Sequence, residues 1–465
     1  MIAAPGLIVA AASSHSGKTT VSLGLIAAFR ARGLTVAAAK CGPDYLDPRF
    51  LEAASGRPCI NLDPWAMGEG VRSRLVRHAE GADSVVVEGV MGLYDGGAGG
   101  AGSTASLAAL LGLPVVLVVG ASGLAQSAAA IADGFARLAD GFAVAGAIVN
   151  LVASDRHAEL IREGFARTSL PLLGLVRRDP AVALPSRHLG LVQAEEHADL
   201  AQKIARAAEL IEQGCDLTRI LDFAARADAP PPCGDGLGEG RTHTPHPAVS
   251  PHPNPPPQGG RECLAPLGQR IAVAHDLAFA FSYPHVLQDW RAAGAEIAFF
   301  SPLADEAPDA SADAVFLPGG YPELHAGRLA AAQFFRAGVA AAVDRGALIY
   351  GECGGYMALG EQLVDAEGQP HRMLGLLPLR TSFAERKLHL GYRRLTPLAG
   401  LPWQVSLAAH EFHFATITHE GEAERLFEAA AADGSRLGSI GLRRGSVMGS
   451  FAHVIDASGP PSLLP

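Results

Sequence analysis

The sequence lacks the features that mark several common protein classes. Its 465 residues include only six cysteines, scattered and without a CxxC pair, so neither a disulfide framework nor a zinc site is expected. It has no block of basic residues and a formal net charge of −10, which argues against nucleic-acid binding. The N-terminus lacks the basic segment of a signal peptide. These absences favour a soluble protein of a reducing cytoplasm.

One uncharged stretch, residues 96–132, is long enough to cross a bilayer. Gly112, Pro114, Gly120 and Gly123 divide it into a helix-sized piece and a strand-sized piece. We therefore interpret it as a buried helix–strand unit, and no membrane is expected among the partners.

Short apolar runs alternate with longer amphipathic runs in the first half of the chain. The predicted strands are Gly6–Ala11, Thr35–Ala39, Ser84–Val87, Val115–Val119 and Ala145–Val149, and helical patterns include Thr20–Arg32, Ser122–Leu138 and residues near Glu195–Phe223. This alternation is typical of a doubly wound, mostly parallel sheet. We assign residues 1–228 to this first α/β domain.

The apolar periodicity disappears over residues 229–268, which are rich in proline, histidine and glycine. The histidines there (His243, His246, His252) could bind metal, but we favour a semi-rigid or disordered linker. A second α/β pattern follows, with predicted strands at 270–274, 296–300, 314–317 and 347–350. Residues 269–465 are therefore a second domain.

The segment Gly351-Glu352-Cys353-Gly354-Gly355-Tyr356 joins an apolar run to a helix-like run. A sharp turn from a strand into a helix can expose one side chain, and the flanking glycines permit the strained backbone. We predict that Cys353 is a nucleophile whose thiol pKa is lowered by the helix N-terminus. The alternative is a buried structural cysteine.

Two further segments complete this candidate site. Glycines follow the strand at 314–317, and the amides of Gly320 and Gly354 are expected to stabilise an oxyanion. His389, His410, His413 and His453 are the candidate bases, and we favour His453, which otherwise is a core histidine. The run from His410 to His413 has the wrong spacing for a metalloprotease motif, so we interpret it as substrate-facing or structural.

Residues 12–20, ASSHSGKTT, lie between the first strand and the first helix and resemble a P-loop, GxxxxGK[ST]. Ala12 replaces the first glycine, and Ser13 stands where switch-type partition ATPases carry a lysine. We predict that ATP is bound by Ser16, Gly17, Lys18, Thr19 and Thr20. Lys18 would bridge the β- and γ-phosphates and Thr19 would bind Mg²⁺. A chance GKT turn is the alternative.

Four acidic residues, Glu88, Asp44, Asp47 and Asp95, each follow a predicted strand. Parallel sheets bind ligands at that edge, so Glu88 is a candidate second contact for Mg²⁺. A single aspartate in such a loop is usually a turn residue, but four near one P-loop favour a shared site.

Together these segments resemble the a,c-diamide synthases of cobalamin biosynthesis, which act on cobyrinic acid or hydrogenobyrinic acid. The matching segments are SGKTT (16–20), KCGPDYLDP (40–48), NLDPWAM (61–67), VVEGVMGLYDG (86–96), FLPGGYPELHAGRLA (316–330), GECGGYMALG (351–360), SFAERKLHLGYR (382–393), HEFHFAT (410–416) and SFAH (450–453). They span nearly the whole chain outside the proline-rich segment.

The resemblance implies a P-loop NTPase-like first domain, similar to dethiobiotin synthetases, and a class I glutamine amidotransferase second domain of flavodoxin-like α/β fold. It implies a glutamine-hydrolysing carbon–nitrogen ligase with ATP and glutamine as co-substrates and Mg²⁺ as cofactor. Cys353 would attack glutamine and His453 would be its base. Many class I relatives carry a glutamate two residues after that histidine. Ile455 stands there instead, so whether a third residue orients His453 is open.

The other half of the implied reaction amidates the a and c acetate groups of a corrinoid through acyl phosphates. The implied substrate site comprises Asp44, Tyr45, Asp47 and Asp95. Segments 40–48, 325–330 and 382–393 look more like the branch that uses metal-free hydrogenobyrinic acid. Alternatives are the cobalt-containing cobyrinic acid, cobyric acid synthase activity and a non-catalytic P-loop switch. The oligomeric state, a homodimer included, the order of amidation and the ammonia path stay open.

Overall fold

A computed structural model describes residues 4–97, 100–187, 190–225 and 264–457. The linker predicted at 229–268 lies outside the described residues except for its last five. Of these, Leu264 and Leu267 are buried in the hydrophobic core. The domain boundaries at 228 and 268 stay a proposal.

The amino-terminal half is built on one parallel sheet whose strands are almost wholly buried. Its strands are β1 (Gly6–Ala11), β2 (Val36–Cys41), β3 (Ile60–Leu62), β4 (Ser84–Glu88), β5 (Val115–Gly120), β6 (Val144–Val152) and β7 (Leu172–Arg177), in the order β3-β2-β4-β1-β5-β6-β7. Residues such as Leu7 and Ile8 on opposite faces of β1 are both buried, since helices cover the two faces of the sheet. The predicted doubly wound parallel sheet is confirmed.

The helices of this half connect and cover those strands. They are α1 (Lys18–Ala31), α2 (Asp47–Ser55), α3 (Pro64–Met67), α4 (Gly70–His78), α5 (Thr104–Leu111), α6 (Ser127–Arg137), α7 (Asp155–Phe165), α8 (Leu200–Gly214) and α9 (Leu217–Ala225). A short hairpin, β8 (Ser186–Arg187) with β9 (Gly190–Leu191), precedes α8. The uncharged stretch contains α5 and β5, as interpreted, and no helix among the described residues is long and apolar enough to cross a membrane.

The carboxyl-terminal half is a second α/β unit that begins with a parallel sheet. Its first elements are β10 (Arg270–Ala274), α10 (Pro284–Ala292), β11 (Glu296–Phe300), β12 (Ala314–Leu317), α11 (Ala326–Ala331), α12 (Gln333–Asp344), β13 (Leu348–Glu352) and α13 (Gly354–Leu359). The strands predicted at 270–274, 296–300 and 314–317 are confirmed with the same bounds. The predicted strand at 347–350 is observed one residue later at its start and two residues later at its end.

An antiparallel extension completes this sheet and was not predicted. The remaining strands are β14 (Gln362–Val364), β15 (Pro370–Arg372), β16 (Leu379–Ser382), β17 (His389–Pro397), β18 (Leu407–His413), β19 (Thr416–Glu420), β20 (Glu424–Ala431), β21 (Arg436–Arg444), β22 (Val447–Ser450) and β23 (Ala452–Ala457). The large sheet has the order β11-β10-β12-β13-β22-β21-β20-β17-β18-β23, and β15-β14-β16-β19 form a separate sheet. Strand β22 runs parallel to β13, which brings the last strands back beside Cys353.

The two halves are held together by buried polar and aromatic contacts. Arg74 of α4 donates hydrogen bonds to Asp289 and Asp456 of the other half, at 2.5 and 2.9 Å. Trp65 stacks on Tyr392 with ring centroids 4.4 Å apart. Since a buried arginine without its carboxylates would be strongly destabilising, these pairs favour one relative arrangement of the two halves.

Candidate active site

Cys353 lies at the turn between β13 and α13, as the glycine pattern predicts. Its backbone adopts φ 47° and ψ −102°, a region that is unusual for a residue with a Cβ atom. Strained backbone of this kind clusters at functional positions and persists only where the surroundings enforce it. Here parallel strands β12 and β22 flank β13 on both sides. The geometry therefore resembles a nucleophile elbow.

The expected lowering of the thiol pKa is wrong for this conformation. Cys353 is 3% exposed, and burial, together with the nearby carboxylate of Glu323, raises the pKa of its thiol far above the usual range. Helix α13 has only six residues, and the field at its first turn does not outweigh desolvation. The thiolate therefore depends on a nearby proton acceptor.

The structure brings His453 beside Cys353. A Cβ atom built on Gly319 would overlap the imidazole Cε1 of His453, 3.0 Å from its Nε2 atom, and would lie 3.3 Å from Cβ of Cys353. Both side chains therefore border the same small space, which glycine keeps open. Because β23 pairs with β18, His410 lies directly opposite His453.

Burial sets the protonation state of His453. The ring is fully buried, and desolvation, aided by the charges of His410 and His413, lowers its pKa to about 3. The neutral imidazole is therefore the resting form, which is the form a general base requires.

The two glycines predicted to stabilise an oxyanion are adjacent. A Cβ atom on Gly354 would lie 2.9 Å from the backbone nitrogen of Gly320, so the two backbone segments meet next to Cys353. A Cβ on Gly320 would overlap the carbonyl oxygen of Ala278. Side chains at these positions would push the two backbone segments apart.

The predicted P-loop wraps the start of α1. Gly17 has φ 79°, and the Asn150 side chain donates a hydrogen bond to the Ser16 carbonyl at 3.0 Å. Asn150 comes from the end of β6 and was not predicted, since a lone asparagine after a strand carries no motif. Thr20 lies in the first turn of α1 and is half-buried.

Thr19 and Glu88 meet at the edge of the sheet, as predicted. The Thr19 hydroxyl donates to Oε1 of Glu88 at 2.9 Å, while the buried Oε2 of Glu88 has no hydrogen-bond partner among the described residues. The Thr19 hydroxyl and the unsatisfied carboxylate oxygen of Glu88 are oxygen donors of the kind Mg²⁺ prefers. These two residues fit the implied ion.

Two lysines converge on the same carboxylate. Nζ of Lys18 lies 3.6 Å from Oε1 of Glu88 and donates to the Gly89 carbonyl at 2.5 Å. Burial and the charge of Lys40 lower the pKa of Lys18, against the opposing effect of Glu88.

Lys40 was missed by sequence reasoning, although it begins the segment KCGPDYLDP. It is 1% exposed, and its ammonium contacts Asp47 at 2.5 Å, Glu88 at 2.9 Å and Asp44 at 3.7 Å. Burial opposes the charge, but these carboxylates outweigh it, so the pKa of Lys40 is raised well above its usual value. The signal that could have identified Lys40 is its isolation, since it is the single charged residue of strand β2 (VAAAKC).

The four predicted substrate residues are divided between different environments. Asp44 and Asp47 lie at Lys40, and Asp44 also accepts from the Leu46 amide at 2.8 Å. Asp95 is exposed and accepts from the Gly92 amide at 3.0 Å.

Tyr45 lies at the other candidate centre. Its ring is 4.5 Å from the imidazole of His453 and 5.1 Å from the ring of Phe281, and its hydroxyl bonds that of Tyr283 at 2.9 Å. Residues 44–47 therefore touch the lysine–carboxylate cluster and the cysteine–histidine pair at once.

Among the described residues, one histidine–carboxylate group could hold a metal ion. Ligand atoms of His389, Glu411 and His413 lie within 4.8 Å of one another. However, Glu411 already accepts from Arg393 at 2.7 Å and from His413 at 2.9 Å. This arrangement is an ion-pair network, which agrees with a structural or substrate-facing interpretation of residues 410–413.

Family models match both halves of the chain. Residues 7–192 match the CobQ/CobB/MinD/ParA nucleotide-binding domain, and residues 270–460 match the CobB/CobQ-like glutamine amidotransferase domain. The nucleotide-binding match contains the P-loop, and the amidotransferase match contains Cys353 and His453.

Curated relatives align over almost the entire chain. Proteins named hydrogenobyrinate a,c-diamide synthase from Sinorhizobium sp, Brucella suis and Rhizobium meliloti are 51%, 51% and 52% identical, respectively. The alignments cover 98%, 98% and 97% of this chain and 99% of each relative. Because the alignments run over almost the full length, the relatives share both halves of this chain, in the same order.

Proposed function

The chain belongs to the family of hydrogenobyrinate a,c-diamide synthases, and we propose that it amidates the a and c acetate groups of hydrogenobyrinic acid through acyl phosphates. It is an amidoligase of the glutamine amidotransferase type, with a nucleotide-binding domain that fits ATP as co-substrate. The observation that carries the proposal is the segment 44–47, which contacts both centres. This shared segment supports a nitrogen source that works next to a site of carboxylate activation.

In the glutamine half, His453 takes the thiol proton of Cys353 as the sulfur attacks the glutamine carboxamide carbon. The backbone amides at Gly320 and Gly354 stabilise the developing oxyanion. The histidine then donates that proton to the departing nitrogen, which leaves as ammonia, and a glutamyl thioester remains. Water hydrolyses the thioester to glutamate and restores the thiol.

In the ATP half, the P-loop amides and Lys18 bind the phosphates, and Lys40 adds a second buried positive charge. Thr19 and Glu88 would hold Mg²⁺, which supplies charge neutralisation for phosphoryl transfer. The corrinoid carboxylate attacks the γ-phosphorus and ADP leaves, so a poor acyl donor becomes an acyl phosphate. Ammonia then displaces phosphate from the acyl carbon.

The substrate contacts within this scheme are Asp44, Asp47 and Asp95, which lie on the P-loop side. The neighbouring lysines compensate Asp44 and Asp47, and Asp95 is open to solvent. Tyr45 faces His453 instead, so its contribution is to the contact between the two centres. Because only unprotonated ammonia is nucleophilic, a buried route between the sites favours the reaction.

The function is tested by supplying the purified protein with ATP, Mg²⁺ and glutamine together with one corrinoid acid at a time. Mass spectrometry should show two added amides on hydrogenobyrinic acid and fewer on cobyrinic acid. The Lys18→Ala variant should form no amide while retaining glutamine hydrolysis. Amidation of other side chains, or intact amidation by Lys18→Ala, would contradict the proposal.

A further inference from the structure

The residue directly before the nucleophile, Glu352, is in contact with the proposed base. It ends strand β13 and is 4% exposed. Its Oε2 atom lies 3.8 Å from Nδ1 of His453. Because Nε2 borders the space shared with Cys353, the two ring nitrogens face different sides, with the Cys353 side chain near one and the carboxyl group near the other.

The carboxyl group is held in this orientation by its second oxygen. Oε1 of Glu352 accepts hydrogen bonds from the Val454 amide and the Tyr350 hydroxyl, each at 3.1 Å. The Val454 amide belongs to the residue that follows His453, so this hydrogen bond also fixes the position of the carboxyl group relative to the imidazole. A buried carboxyl fixed at one oxygen leaves the other oxygen directed at the ring.

We propose that Glu352 is the positioning residue of His453, holding a proton on Nδ1 so that Nε2 is free to accept the thiol proton of Cys353. This inference rests on the proposed function. It provides, from the position before the cysteine, the acid that is absent two residues after the histidine, where Ile455 stands.

The physical need for such an acid is unusually strong here. Neither nitrogen of His453 makes a hydrogen bond of ordinary geometry among the described residues, although the backbone of Phe281 also interacts with the ring and favours its protonated form. Burial disfavours both the thiolate and the imidazolium, and a carboxylate at Nδ1 stabilises the imidazolium that forms during attack. Burial also raises the pKa of Glu352 to about 8, so the carboxylate form that accepts the Nδ1 proton is populated as the pH rises through that value.

The 3.8 Å separation is longer than a hydrogen bond, and contacts of catalytic groups often shorten when substrate binds. The titratable groups that surround the ring are Glu352, Cys353, Tyr45, His410, Glu411 and His413. Of these, Glu352 is the carboxylic acid in direct contact with Nδ1.

The test compares Glu352→Gln, Glu352→Asp and the control Glu361→Gln, which alters a half-buried glutamate paired with Arg380. We expect Glu352→Gln to lower kcat for glutamine by about 10- to 100-fold with little change in KM. Amidation with free ammonia should be unchanged, and Glu352→Asp should recover part of the loss. Alkylation of Cys353 by iodoacetamide should need a higher pH in Glu352→Gln than in the wild type.

Two results would overturn the proposal. One is a Glu352→Gln enzyme with wild-type glutamine turnover and an unchanged pH profile of alkylation. The other is equal loss of activity with glutamine and with ammonia, which would show a structural role only. Failure of the wild-type enzyme to use glutamine at all would instead refute the proposed function, so the two failures are distinguishable.

Discussion

The substitution Gly319→Ala tests the space between Cys353 and His453 in the proposed glutamine site. The added methyl group would overlap Cε1 of His453 and approach Cβ of Cys353 to 3.3 Å. The backbone at Gly319 does not adopt a positive φ, so the effect is steric rather than conformational. The imidazole would have to move by about 1 Å, a displacement that costs about 100-fold in rate, or about 2.7 kcal/mol of activation free energy.

The assay measures amide formation by Gly319→Ala with glutamine and, separately, with ammonia. We expect the glutamine rate to fall by about 100-fold and the ammonia rate to stay at the wild-type value. The control is Gly134→Ala in α6, where no atom beyond the neighbouring helix backbone lies within 4 Å of the new methyl group and alanine favours the helix. Wild-type glutamine turnover by Gly319→Ala would refute the placement of the two side chains around this glycine.

Three further predictions concern buried charge. Replacing Lys40 with methionine leaves its carboxylate partners without a compensating charge, so amidation should disappear with either nitrogen source. The free energy of unfolding, measured by urea denaturation, should fall by about 3–5 kcal/mol. Full amidation activity would show that Lys40 is not part of the site. Arg74→Met should lower the free energy of unfolding by about 3–5 kcal/mol in the same assay. Arg77→Ala, which alters a mostly exposed side chain, should lower it by less than about 1 kcal/mol. Equal losses in the two variants would contradict the stabilising role of the buried Arg74 contacts. Burial alone would raise the pKa of Glu411, but hydrogen bonding to His413 and an adjacent arginine lower it to about 2. The contribution of the Glu411 carboxylate to stability is therefore complete above its ordinary pKa and is lost as the pH falls towards 2. The unfolding temperature of Glu411→Gln should consequently fall less than that of the wild type between pH 4.5 and 2. Parallel plots of unfolding temperature against pH for the two proteins would contradict this assignment.

The sequence predicted the parallel sheets well because their strands are short apolar runs between turn residues. Strand β1 and strands β10 to β12 have the predicted bounds. The antiparallel strands after residue 378 were missed, since many of their residues are half-exposed and they follow no simple alternation. Their placement decides which histidine reaches the cysteine, and the sequence indicated His453 only through the apolar run that precedes it.

The electrostatics of the site could not be predicted from local sequence. Proximity to a helix N-terminus suggested a reactive thiol at Cys353, but burial by distant segments reverses the direction of its pKa shift. Likewise, Glu352 and Lys40 acquire their partners through strands that are far apart along the chain. Such contacts arise from topology rather than from spacing.

We propose that one chain couples glutamine hydrolysis at Cys353 to activation of a corrinoid carboxylate at the P-loop. The most direct measurement is amide formation on hydrogenobyrinic acid by Cys353→Ser, with ATP and either glutamine or ammonia. Such coupling predicts no product with glutamine and an undiminished rate with ammonia. Equal failure with both nitrogen sources, or continued use of glutamine, would contradict it.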